Sequence, residues 1–432
     1  MSTEKIRYLR KPFNEDKNFN WQQIIFTGLL FLFFPPFVSL TYLIGSTISQ
    51  KSSTKTNYYI LFACLALYFG SINATKYVTG DQYQYYAAYM NVPKVGFWKS
   101  LIYIYGADLA RGYQRTNISG EFMNGVYNYF GYYLTFGYYP LFALCLTFAM
   151  YFLIFVGFYK FAKSLAKPHI PIVCGVLILS FFYLFFNYTL QIQKQFLAQS
   201  IMMYVLGTYA NTGKMTKKLW IIALLACFTH ASTFLFIPFL AYRPFHEVLT
   251  KKRLFLLIGL SFIFILLGPS VAGSMIEGKG ESALSYGARR LAASETNNDV
   301  KFGLVWAQVY VVAVPMAFIT LRKLWVGRLH LDGKTAFILN IILFLLVAIV
   351  GMYRQPLAQY RYFMMLFAFM PFALPFAFDK IKKRDLFLKR LAFVMIAWFY
   401  LQFEKIIWRY ANEWEIIVKP PIMLIFGDYK II

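Results

Sequence analysis

The chain reads as a succession of long apolar runs separated by short polar links. The runs lie near 21–48, 58–75, 138–159, 172–190, 193–210, 219–242, 254–270, 303–321, 335–352, 362–378 and 391–408. Most approach the ~20 residues that a helix needs to cross about 30 Å of hydrocarbon. Lipid offers no hydrogen-bond partner to a free backbone amide, so such runs are expected as helices. The alternating ten-residue pattern of an outer-membrane barrel is missing from the sequence. The pattern predicts an all-α polytopic integral membrane protein with about 10–12 transmembrane helices, organised as one membrane domain over 1–432.

The polar links set the orientation. Six of them (49–57, 160–171, 213–218, 243–253, 322–334 and 380–390) hold 22 of the 43 Lys and Arg in 62 residues. The positive-inside bias places these links in the cytoplasm. Links 213–218 and 243–253 then lie on the same side, although the apolar run 219–242 separates them. One straight helix cannot start and end on one side, so the run is expected as a re-entrant helix pair, broken near "FTHAS", 228–232. Such a break is tolerated only where it is buried in protein or faces a water-filled cavity. The first run carries Pro35-Pro36 at its centre. Either it is a hairpin broken there or the basic N-terminus lies outside; the sequence leaves both open.

Two long polar stretches, 76–137 and 271–302, fall on the outer side as large periplasmic loops. Within the first, Glu121, Asn124 and Asn128 share one helical face by their i, i+3, i+7 spacing. That predicts a surface or re-entrant helix; a full span is the alternative and would move Asp81 to the cytoplasm.

Composition sharpens this picture without changing it. The chain is 59% hydrophobic and only 14% charged, with a mean hydropathy of +0.53, which is far from a soluble domain of this length. The net charge of +25 arises mostly in the basic links, so nucleic-acid binding is not expected. Cys64, Cys145, Cys174 and Cys227 all lie in apolar runs without a Cys-x-x-Cys and read as small core residues. No short segment holds two histidines and a carboxylate, so neither a metal site nor a cofactor is expected. His169 and His330 lie in basic links and are expected to be solvated. "GSMIEGKG", 273–280, ends on Gly280 where a phosphate-binding loop needs a hydroxyl, and reads as a plain loop.

Several residues stand out against this background. His230 is the ionisable residue of the 219–242 run, with Ser232 two positions on. It is either a packing histidine bonded to a backbone carbonyl or an acid, base or donor facing a cavity, since buried ionisable groups in membranes usually face polar interiors. Lys194 sits among Gln191, Gln193 and Gln195; it either snorkels from a helix end or binds an anion. Arg354 and Arg361, and Arg289 and Arg290, lie on the outer side against the positive-inside bias. Their forked donors suit phosphate, although a translocated loop also tolerates stray positives. Asp81, Asp108 and Glu121 are either solvated loop acids or partners and bases for sugar hydroxyls.

The order of these stretches resembles the EpsG/Wzy family of polysaccharide polymerases. The resemblance runs through "TGDQYQYY" with Asp81, "GEFMNGVY" with Glu121, "KQFLA" opening at Lys194 where the family has arginine, "FTHAST" with His230 and Ser232, and "YRYFMMLFAFMP" with Arg361. It covers roughly residues 58–378. Lysine at 194 keeps the charge but loses bidentate geometry. By this resemblance the protein is a glycosyltransferase of the bacterial cytoplasmic (inner) membrane, with its active site facing the periplasm. It would transfer a growing glycan from undecaprenyl pyrophosphate onto a lipid-linked repeat unit for O-antigen, capsule or exopolysaccharide, without a metal. Lys194, Arg354 and Arg361, with Arg289 and Arg290, would contact pyrophosphate. Ser232 would join them in holding substrate, while His230, Asp81 and Glu121 would handle or orient hydroxyls. Its partners would be undecaprenyl-pyrophosphate-linked oligosaccharides, the lipid bilayer, and a chain-length regulator and flippase of the same pathway. Another lipid-linked-sugar transferase or ligase, or a lipid-linked glycan flippase, are the competing readings.

Overall fold

The computed structural model describes residues 21–50, 53–103, 120–256, 258, 259, 262, 303–325, 331–351, 356–403 and 415–426. These residues are mostly helical with no β-strand among them, and the chain is an all-α polytopic membrane protein. Among the described residues, four helices are long and apolar enough to cross a membrane: Lys55–Ala74, Tyr139–Ala162, Ile381–Phe403 and the helix beginning at Gly333. The chain divides into two compact units, Met1–Thr233 with Lys380–Ile432, and Phe234–Asp379.

The first unit opens with α1 (Trp21–Phe33) and α2 (Pro36–Ser49). They are separated at Phe34-Pro35, so the first run breaks at its prolines. The helices α3 (Lys55–Ala74), α4 (Asp81–Met90), α5 (Val92–Ser100) and α6 (Met123–Leu134) follow. Then come α7 (Tyr139–Ala162), α8 (His169–Ser180), α9 (Tyr183–Tyr188), α10 (Gln193–Thr212) and α11 (Lys217–Thr229). Their boundaries follow from side-chain chemistry. Thr54 and Thr216 cap α3 and α11 by accepting from Asn57 N–H and Leu219 N–H, and Gly213 ends α10 in the left-handed region at φ 70°.

Phe69 on α3 marks the core. Its ring stacks on Tyr151 of α7 and meets Phe181, Phe186 and Phe399 within 5.6 Å between centroids. Phe399 comes from α16 (Ile381–Phe403), which returns the C-terminal part of the chain to this unit. The opposite face of α16 leaves Phe393, Val394, Trp398 and Leu401 exposed, as a lipid-facing helix should. The start of α16 is pinned by Arg384, whose guanidinium donates to Ala166 O and Lys167 O at 2.9 Å each.

Two expectations fail here. His169 is buried rather than solvated, at 5% exposure. Its Nδ1 meets Tyr58 Oη at 2.7 Å and its Nε2 meets Thr47 O at 2.9 Å, so one ring ties α8 to α2 and α3. Cys145 is exposed on α7, unlike the buried Cys64, Cys174 and Cys227.

The second unit contains α12 (Ile237–Ala241), α13 (Gly303–Trp325), α14 (Gly333–Gly351) and α15 (Pro356–Phe367). Asn340 on α14 donates to Phe245 O at 3.0 Å and Glu247 O at 3.1 Å, which satisfies carbonyls in the irregular stretch after α12. Arg322 and Lys323, in the last turn of α13, pair with Asp379.

The α7–α10 contact depends on two glycines. A Cβ on Gly207 would lie 1.9 Å from Gly157 O, and one on Gly157 would lie 2.5 Å from Met203 O. Small residues at such crossings let helix backbones approach. Gly207→Ala should therefore cost about 1–3 kcal/mol by overpacking, read as a lower unfolding temperature in detergent. Gly45→Ala, where a Cβ meets nothing within 4 Å, should leave that temperature unchanged.

Candidate active site

The break in the 219–242 run falls where the link charges place it. The helix α11 ends at Thr229, and His230 takes an extended backbone at φ −155°, ψ 128°. A 3₁₀ turn, Ala231–Phe236, follows. The last helical bond runs from His230 N–H to Ala226 O, and the next amides find other acceptors. Ala231 N–H donates to Glu121 Oε1 at 3.0 Å, and Ser232 N–H points at His230 Nδ1 at 3.3 Å. Thr233 closes the turn by donating its hydroxyl to His230 O at 2.9 Å.

Glu121 lies just before α6, on a turn whose neighbour Phe122 packs against Phe228 of α11 with centroids 5.1 Å apart. Its Oε2 accepts from Lys194 Nζ, at the first turn of α10. The Lys194 side chain is 2% exposed and that of Glu121 20%, so the ammonium lies beneath the carboxylate. His230 Nε2 stands 3.8 Å from Glu121 Oε1. Asn124 and Asn128, on the face shared with Glu121, are buried, so this polar face of α6 turns inward.

The imidazole's protons follow from its neighbours. Nδ1 receives the Ser232 amide and lies 2.6 Å from Ser232 Oγ, so it is the acceptor and the Ser232 hydroxyl donates to it. The neutral ring then carries its proton on Nε2, facing Glu121. Burial alone pushes the Glu121 carboxyl up. Lys194, then His230, and the hydrogen bonds from Lys194 and Ala231 outweigh it and hold the group at about 2. The result is an ionised, oriented carboxylate beside an N–H donor. The pair can hold a hydroxyl group: an oxygen about 2.8 Å from both atoms fits across their separation.

Four of the residues singled out from sequence, Glu121, Lys194, His230 and Ser232, are thus brought together from three separate segments. Asp81 is exposed at the first turn of α4 and has no ion-pair partner among the described residues. Arg361 lies on α15 of the second unit, partly exposed. Arg289, Arg290, Arg354, Asp108, His330 and the 271–302 loop with its 273–280 stretch lie outside the described residues. Sequence reasoning misses the Ala231 amide, since no residue type announces a backbone donor. Among the described residues no group of three His, Cys, Asp or Glu could hold a metal ion.

The carboxyl's depressed titration fixes a sign. Its folded value lies below the ordinary 4.5, so its stabilisation is complete above that pH and is lost as pH falls towards about 2. Glu121→Gln should lower the unfolding temperature at pH 7 by an amount that stays constant to about pH 5 and shrinks below it. Removing one partner of a fully buried pair costs about 3–5 kcal/mol; the residual exposure of Glu121 puts the expected loss below that.

The comparisons with known proteins bear on the whole chain. No curated protein and no solved structure matches it. The EpsG family model matches residues 57–412, which include all four clustered residues and Asp81. The chain belongs to the EpsG family.

Proposed function

We propose that this protein is a polysaccharide polymerase acting on lipid-linked glycans at the outer face of the bacterial cytoplasmic membrane. Membership of the EpsG family supports a polysaccharide-polymerase-like membrane protein. The observation that carries the finer reading is the convergence of Glu121, Lys194, His230 and Ser232 on one partly open spot.

The acceptor sugar hydroxyl sits between His230 Nε2–H, which donates to its oxygen, and Glu121 Oε1, which accepts its proton. The acceptor oxygen bonds to the anomeric carbon of the growing glycan, and the bond from that carbon to the pyrophosphate oxygen breaks. The electron pair leaves with undecaprenyl pyrophosphate, and the hydroxyl proton passes to Glu121. A carboxylate held near 2 is a weak base for an unreacted alcohol. It suffices for an oxygen already bonding to a cationic, oxocarbenium-like carbon, as glycosyl transfer develops. Lys194 keeps Glu121 ionised and aimed. It can reach a pyrophosphate oxygen only if the carboxylate above it swings aside. Arg354, Arg361, Arg289 and Arg290 are the further candidates for the leaving group, whose developing charge cationic donors stabilise. The pyrophosphate needs no added ion to depart on this reading.

Deleting the gene and resolving surface glycan on a gel tests the function. Loss of the long-chain ladder, with single repeat units retained at the surface, supports polymerisation. Lipid-linked units trapped on the cytoplasmic face would indicate a flippase instead. With purified protein and lipid-linked substrate, His230→Ala and Glu121→Gln should each lower turnover by roughly 10²–10⁴. Lys194→Arg should preserve most of it and Lys194→Met should not. Chain extension should persist in EDTA.

A further inference from the structure

A second polar cluster lies in the first unit, outside the four residues above. Lys76 follows the last turn of α3 and is 5% exposed; its Nζ donates to Asn187 O at 3.0 Å. Gln191 joins the same two segments. Its Nε2 donates to Thr79 O at 3.2 Å, and its Oε1 accepts from Gln82 N–H at 3.3 Å. Gln82 Nε2 in turn donates to Tyr139 Oη at 3.3 Å. The 75–82 turn is therefore laced to the link between α9 and α10, the link that leads directly into Lys194.

Three amides on these segments and the helix start that follows them are incompletely used. Gln82, Asn187 and Gln193 are at most 1% exposed. Gln82 Oε1, both polar atoms of the Asn187 side chain and both of the Gln193 side chain are buried without a hydrogen-bond partner. Buried amide atoms left unpaired cost free energy, and an apolar residue of the same shape avoids that cost. Each such group calls for a partner, either an ordered water or a bound ligand.

The chemistry of that arrival is constrained. Each unmet amide oxygen needs a donor, and each unmet amide nitrogen an acceptor. A bare phosphate or carboxylate only accepts, so it cannot serve the three oxygens. Sugar hydroxyls donate and accept at once, and an acylamino substituent offers an N–H beside a carbonyl. The cover over the cluster suits entry. Thr79, Gly80 and Asp81 are exposed, the turn is non-helical, and Gly80 sits at φ 58°. Asp81 stands at the rim, where a carboxylate can accept from a sugar hydroxyl.

We propose that Gln82, Asn187, Gln191 and Gln193, beneath the Thr79–Asp81 turn, form a recognition subsite for a hydroxyl- or acylamino-bearing sugar of the lipid-linked substrate, adjoining the Lys194–Glu121 pair. The subsite rests on the polymerase reading for its substrate class. It assigns the discrimination between sugars to neutral amides and leaves the chemistry to Glu121 and His230.

The test uses the full-length protein in nanodiscs and the lipid-linked oligosaccharide that accumulates in the deletion strain. Asn187→Leu and Gln193→Met should each raise KM about 10-fold, the scale of one lost hydrogen bond, with kcat within a few-fold. Their unfolding temperatures should hold or rise, because unmet amides have been removed. The oligosaccharide should raise the unfolding temperature of the wild type and of Glu121→Gln, and that rise should shrink in both amide variants. Unchanged KM and an unchanged ligand-induced rise would mean that these amides bind internal water only, and would overturn the subsite. Should Asn187→Leu fail to fold, the same readings on Gln193→Met decide alone. A wild type that binds the oligosaccharide through these amides but never extends it would overturn the polymerase reading and leave the subsite standing.

Discussion

A carboxylate placed among membrane helices stays ionised only with a cation against it, and the Lys194–Glu121 pair meets that requirement. The lysine is almost wholly covered while the carboxylate keeps a fifth of its surface open. The charge is therefore fixed from below and presented from above. Around that pair the rest of the site is determined: one carboxylate oxygen belongs to Lys194, and the other takes the Ala231 amide and faces the imidazole. The Ala231 amide is free to do so because the helical hydrogen bonding of α11 ends one residue earlier, at His230 N–H. The helix break and the ion pair are thus one device, in which unwound backbone supplies a donor that a continuous helix would have consumed internally.

Rigidity elsewhere supports this placement. The close α7–α10 approach through Gly157 and Gly207 fixes the helix that carries Lys194. The Phe122–Phe228 contact joins the turn bearing Glu121 to the helix ending at His230. An alignment good to a fraction of an ångström is needed for a hydroxyl to meet Nε2 and Oε1 together, and packed helices deliver it better than loops.

Much of this was legible in the residues. Apolar run lengths predict the helical membrane class, and the count of basic links predicts a break at 228–232 before any geometry is known. Pro35-Pro36 marks the first interruption, and the spacing of Glu121, Asn124 and Asn128 predicts that they share one helical face, which the structure turns inward. What escaped is what depends on long-range partners. Lys194 reads as either a snorkelling lysine or an anion ligand from its surroundings, but its neighbour is a carboxylate 73 positions earlier in sequence. His169 reads as solvated because its link is basic, yet two helices supply partners for both ring nitrogens. Which way a buried amide such as Gln193 points is likewise invisible in a string of polar letters.

The central claim is that Glu121 and His230 act on one hydroxyl as a unit. Residues that share one step lose their effects together rather than additively. The direct measurement is a double-mutant cycle on chain extension by purified protein, comparing Glu121→Gln, His230→Ala and the double variant. The expected result is a double variant little slower than the slower single one. A loss equal to the product of the two single losses would contradict it and place the two residues in separate roles.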